Sequence, residues 1–242
     1  MTPTPPAREL SDLAAVRAAL ARGRAVVLPN PAPLTCVVAA TRPDAVNTAK
    51  QRPAEQAVAL WAHHPRTLDA LAERLDLGPD ALRLARRLLA EERLTVLAPV
   101  RRPEEAPPWL APATQDGWTL LFGARWQPLA GLLDAFPVLY VSSANRTGHD
   151  PAPGPAEALA MFPPGVPVLR SPGPDDDLDG GPDDGPGGLG GPGGPGGPRR
   201  AATTTVRLHP DGRLGLHRHG AQDRAFADPE QYLARLRSGR GR

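Results

Sequence analysis

Four short segments carry the side-chain types that bind phosphate and orient a substrate. They are Lys50-Gln-Arg52-Pro53, Ser142-Ser-Ala-Asn145-Arg-Thr-Gly148, Thr203-Thr-Thr-Val206 with Arg218 ahead of Gly220-Ala221, and Gly123-Ala-Arg125. Lysine and arginine neutralise phosphate oxygens, while hydroxyls and amides fix orientation, so the set suits a triphosphate. Lys50 stands out further: of the 28 basic residues it is the only lysine, the other 27 being arginine. A compact ammonium does what a planar guanidinium cannot. Each segment alone also has an ordinary structural reading. Cations suit a helix C-terminus, Ser143 and Asn145 form turns, and a threonine run is common strand sequence. Chemistry is favoured by their joint placement at strand ends, where open α/β sheets bind ligands.

That placement depends on the elements around them. Ser11-Asp12, an apolar pattern over 13–22 and Gly23 predict a capped helix. Further helices are expected at 44–50, 65–75, 79–91, 128–135, 155–161 and 229–237. Strands are expected at 25–28, 34–40, 57–62, 94–100, 118–122, 138–142, 166–170, 203–208 and 213–217, with a proline-rich connection over 101–116. Pro210-Asp-Gly212 joins the last two strands as a hairpin. Lys50 then ends a short helix, and Arg125 and Ser143 follow strands. Helices and strands mix without a strict βαβ rhythm, which predicts the α/β class: a mixed twisted sheet with helices packed on it.

The 242 residues are ample for one domain with a real core. Residues 171–198 break the pattern, holding 12 Gly, 7 Pro and 6 Asp among 28 residues. Such a stretch cannot bury enough apolar area to offset its ordering entropy, and it reads as a disordered acidic insertion. The chain is +2 and this segment −6, which leaves +8 on the other 214 residues, a balance that suits a polyanionic partner. The single Cys36 excludes an intramolecular disulfide framework and a four-cysteine zinc module. No apolar run is long enough for a membrane span, and the opening MTPTPPAREL lacks the order of a secretory signal, so a cytoplasmic location is expected. Gly185-Pro-Gly187-Gly-Leu-Gly190 matches GxGxxG by letter only, since it does not lie between a strand and a helix. His209, His217 and His219 read as solvated histidines before a metal site.

Taken in order, Lys50-x-Arg52-Pro53, Leu94-Thr-Val-Leu97, an arginine after a strand, Ser143-Ala-Asn145-x-Thr147-Gly148, and Thr203-Thr-Thr-Val206 with Arg218-x-Gly220-Ala221 resemble the YrdC-type family. That family comprises the threonylcarbamoyl-AMP synthases of tRNA modification and related carbamoyl-adenylating domains. The resemblance divides the chain into a flexible 1–8, a YrdC-like domain over 9–225 interrupted by the insertion at 171–199, and a C-terminal helix and tail at 226–242. It implies a nucleotidyltransferase that joins L-threonine, bicarbonate and ATP into threonylcarbamoyl-AMP and pyrophosphate, with Mg²⁺ accompanying the triphosphate. By position, Lys50 and Arg52 are the expected catalytic cations, and Ser143, Asn145 and Arg218 hold the nucleotide. Arg125 is expected on the amino-acid carboxylate with Thr203 nearby, and no side chain is assigned to a metal. The sequence departs from the family at Asn30, Ala32 and Leu34, where the opening signature has Thr, Thr and Tyr. It departs again at Trp61, in place of a histidine, and at Arg207, in place of an aspartate. The alternative implied is a divergent non-catalytic paralogue that binds double-stranded RNA, tRNA or nucleotide.

Overall fold

Asp12 stays extended and its carboxylate accepts from the Ala15 N–H at 2.7 Å, which starts α1 (Leu13–Ala21); Gly23 follows its end at φ 71°. This is a computed structural model, and it describes residues 8–171 and 199–239. The acidic insertion and its GxGxxG letters thus lie, apart from residues 171 and 199, outside the described residues. The other helices are α2 (Pro43–Ala49), α3 (Pro65–Arg74), α4 (Pro79–Ala90), α5 (Ala130–Asp134), α6 (Pro155–Met161) and α7 (Pro229–Ser238). All but α5 open with proline, whose missing N–H costs no hydrogen bond in a first turn.

The strands are β1 (Val26–Leu28), β2 (Val37–Ala40), β3 (Ala59–Trp61), β4 (Thr95–Pro99), β5 (Thr114–Gln115), β6 (Trp118–Phe122), β7 (Tyr140–Ser143), β8 (Thr205–Leu208) and β9 (Leu214–Arg218). They form one sheet in the order β1-β2-β7-β3-β6-β4-β8-β9, with β5 added beside β6. The pairs β3/β6 and β4/β8 are parallel and the rest antiparallel, so the sheet is mixed.

One face is covered along its length. Val38, Leu60, Val96, Leu121, Tyr140 and Val206 pack there against apolar side chains of α2, α3, α4, α6 and α7. Tyr232, Leu233 and Leu236 bring α7 into this core. The other face is covered only at its β1-β2-β7-β3 end and at the adjoining Phe122 of β6, where Val37, Ala59, Trp61, Phe122 and Val141 meet α1 and α5. Beyond Phe122 that face opens: Leu97, Trp118, Leu120 and Arg207 are half-buried, and pairing of Leu97 with both Leu120 and Arg207 sets them on one side.

Two expectations are corrected. Residues 166–170 make isolated bridges, Val168 to Val27 and Leu169 to Ser11, and no strand. Pro167 interrupts the run and has no N–H to give a ladder. The connection at 101–116 holds short 3-10 turns at Pro103–Glu105 and Ala111–Ala113 as well as β5.

Candidate functional site

At the border between the covered and open halves of the second face lies a hollow of about 390 Å³. Its floor comes from the strands, with Val37, Ala59, Phe122, Val141 and Leu120. Its rim comes from loops and strand ends. Lys50, Arg52, Ser143, Asn145, Thr203 and Arg218, six of the seven residues expected from the sequence, all line it.

Lys50 ends α2 and is 4% exposed. Its ammonium donates to Asn145 Oδ1 at 2.7 Å and to the Ser143 carbonyl. Asn145 Oδ1 also accepts from Ser143 Oγ at 2.7 Å, and Asn145 Nδ2 donates to the His149 carbonyl at 2.8 Å. The turn after β7 is thereby closed on itself and on Lys50 by a single amide. Burial, followed by the charges of Arg52 and Arg218, pushes the Lys50 pKa down to about 7. The two oxygen acceptors pull the other way. Among the described residues no carboxylate lines the hollow, so three cations converge there without a protein counter-charge. An anion is what such a site lacks.

Arg52 donates through Nε to Asn47 Oδ1 at 2.5 Å, and its buried Nη2 has no hydrogen-bond partner among the described residues. Asn47, wholly buried in α2, also donates to the Ala54 and Gln56 carbonyls at 2.7 and 2.8 Å. It thus fixes the loop that presents Arg52. Sequence reasoning missed Asn47; its signal was an amide inside a short helix, where asparagine has poor propensity. Thr95, quoted only within Leu94–Leu97, and Asn30, noted only as a departure from the family, were given no role. Thr95 Oγ1 shares a 2.5 Å hydrogen bond with Thr203 Oγ1 at the hollow's edge. Asn30 lines the hollow and donates to the Thr35 carbonyl at 2.9 Å, while Arg200 ties the Asn30 and Leu34 carbonyls.

Arg125 is the correction: it does not line the hollow. It follows β6 by three residues and lies where it feels the charge of Asp134 and disfavours protonation of His63. Trp61 meets Phe122, which lines the hollow, edge-on with ring centroids 5.3 Å apart. Trp61 Nε1 donates to the Ala124 carbonyl at 2.8 Å, which ties the segment just ahead of Arg125 to β3. Arg207 is stacked over Trp118 at 4.7 Å, with His209 against the same ring, and His219 pairs with Asp223. The three hairpin histidines therefore do not converge.

Mg²⁺ prefers oxygen ligands and is usually held by one or two carboxylates beside substrate phosphates. The hollow offers hydroxyls and amides next to three cations, a set that does not fit a metal held by the protein. No helix among the described residues is long and apolar enough to cross a membrane.

No protein-family model and no curated protein matches the sequence. Solved structures do. Sua5 from P. abyssi, crystallised with L-threonine, matches with TM-score 0.56 and 15% identity over 85% of this chain and 53% of its own. Full-length HypF in a phosphate- and nucleotide-bound form matches with TM-score 0.57 and 13% identity over 90% of this chain and 30% of its own. E. coli YciO matches with TM-score 0.56 and 15% identity over 85% and 87%. The chain thus spans about half the length of that Sua5 and about a third of that HypF. At these identities the likeness is one of fold: the chain has the YrdC-like mixed α/β fold of these structures.

Proposed function

We propose that the hollow binds the triphosphate of ATP and transfers its adenylyl group to a carbamate, with L-threonine as the carbamate's source, as in threonylcarbamoyl-AMP synthesis. One observation carries the reading: Lys50, Arg52 and Arg218 meet a hydroxyl–amide turn in one hollow that no carboxylate lines among the described residues. The amine of threonine and bicarbonate condense to an N-carboxylate with loss of water. A carbamate oxygen then attacks the α-phosphorus, the bond to the β-phosphate oxygen breaks, and pyrophosphate leaves. Charge builds on phosphate oxygens in that step, and fixed cations stabilise it without reorganising. Lys50 and Arg52 serve the carbamate and α-phosphate. Ser143, Asn145 and Arg218 hold the nucleotide, with Thr203 at its edge. Arg125 has no part in this scheme. Mg²⁺ enters on the triphosphate as part of the substrate.

The test is pyrophosphate release from ATP. It is expected to require both L-threonine and bicarbonate and to vanish in Lys50→Ala. No release above background with any amino acid would refute the enzyme. A second reading, polyanion binding without catalysis, is favoured by the open sheet half carrying Trp118 with Arg207 stacked on it. It predicts retention of tRNA or double-stranded RNA that falls steeply with salt while ATP stays intact.

A further inference from the structure

We propose that Asp223 is a positioning residue that fixes Arg218 and Thr203 at the hollow through a carboxylate-centred clasp between the ends of β8 and β9. The inference rests on the nucleotide reading above. Asp223 is 7% exposed, and a carboxylate is buried at a cost unless its oxygens are satisfied. Here both are. Oδ1 accepts from Thr204 Oγ1 at 2.6 Å and from the Gly220 N–H at 2.7 Å, and Oδ2 lies 2.6 Å from His219 Nδ1. Thr204 Oγ1 in turn accepts from the N–H groups of Gln222 and Asp223 at 3.1 and 3.2 Å. Gln222 Oε1 accepts from the Thr204 N–H at 2.8 Å, and Gln222 Nε2 donates to the Arg93 carbonyl at 3.0 Å. The clasp therefore seizes the backbone on both sides.

Its position is what ties it to the site. Thr204 adjoins Thr203, and Gly220 is two residues from Arg218; Thr203 and Arg218 both line the hollow. The β-ladder does not hold Arg218 by itself, because the register between β8 and β9 shifts between Thr205 and Val206, beside the Thr205–Arg218 pair. Close approach completes the arrangement. A Cβ on Gly220 would stand 2.2 Å from the Thr204 nitrogen, so only glycine lets this segment lie against the Thr203–Thr204 backbone. Burial pushes the Asp223 pKa up, but the hydrogen bonds from Thr204, Gly220 and His219 outweigh it and hold the group below the usual carboxylate range.

The experiment is MgATP titration of the full chain by calorimetry at several salt concentrations, with folding checked by circular dichroism. Arg218→Ala is expected to weaken binding about tenfold or more, as loss of a phosphate-facing guanidinium does. Asp223→Ala should weaken it about fivefold to tenfold and flatten the salt dependence as Arg218→Ala does, although it removes no positive charge. The double variant should bind no more than about twofold worse than Arg218→Ala alone, because one residue acts through the other. Asp223→Asn keeps an oxygen for Thr204 and Gly220 and should stay within about twofold of the unaltered chain. Thr204→Val, which keeps the shape and removes the hydroxyl, should mimic Asp223→Ala and carries the test if that variant does not fold. Folded Asp223→Ala or Thr204→Val binding as tightly as the unaltered chain, or effects of Asp223 and Arg218 that simply add, would overturn the clasp and leave the nucleotide reading standing. An unaltered chain that does not bind MgATP would overturn both.

Discussion

A buried ammonium flanked by two guanidiniums should betray itself by its proton. With the Lys50 pKa pushed down to about 7, the free site is largely neutral at Lys50 above that pH, and a bound triphosphate restores the charge. Binding of ATP between pH 7.5 and 9, where the triphosphate itself no longer titrates, should therefore take up a proton and weaken as pH rises. Calorimetry in buffers of different ionisation enthalpy reads the uptake, which Lys50→Ala should abolish. For folding alone the sign is set the same way. The unfolded lysine titrates near 10.5 and the folded one near 7, so the cost of burying the charge is fully present below about 7 and disappears as pH rises towards about 10.5. Cys36 gives a simpler check at the same scale: burial pushes its thiol up to about 12, so a thiol reagent at pH 8 should leave the native chain unmodified and label it once unfolded. Lys50 was legible in the sequence because it is the sole lysine, and Asn145 because it sits in a polar turn after a strand. Arg125 was expected at the site because its place after a strand matches the family resemblance, and it does not line the hollow. Which surface a side chain three residues past β6 reaches is decided by tertiary packing, which no local pattern announces.

At the scale of elements, the site stands on loops that two asparagines lock. Asn47→Ala would leave the Ala54 and Gln56 carbonyls and Arg52 Nε without their partner. Its cost should be about 1–3 kcal/mol in denaturant unfolding, with a larger proportional loss of ATP affinity than of stability. The last helix is a structural element of the same core, even though the sequence set 226–242 apart as a helix and tail. Leu236 is fully buried against the covered sheet face, so Leu236→Ala should destabilise by about 2–5 kcal/mol while folded protein keeps its ATP affinity. Most helices were legible because caps and first-turn prolines are local signals. The absence of a strand at 166–170 was legible too, though overlooked, because Pro167 within the run is itself a local breaker.

For the molecule as a whole, the sheet's two faces divide the labour. One face holds the fold together and the other, half uncovered, leaves room for a ligand beside cations. The class of fold was legible from the mixture of strands, helices and a terminal hairpin. The strand order was not, because β7 inserts between β2 and β3 and no local pattern announces long-range pairing. The departures at Leu34 and Trp61 take on meaning only in this frame. Leu34 lines the hollow, and Trp61 is buried against Phe122, which lines it too. The most direct measurement is a crystal structure of the chain soaked with a non-hydrolysable ATP analogue. The account predicts triphosphate density within hydrogen-bond reach of Lys50, Arg52 and Arg218, with Ser143 or Asn145 touching the nucleotide. Analogue density elsewhere on the molecule, with this hollow holding only water, would contradict it.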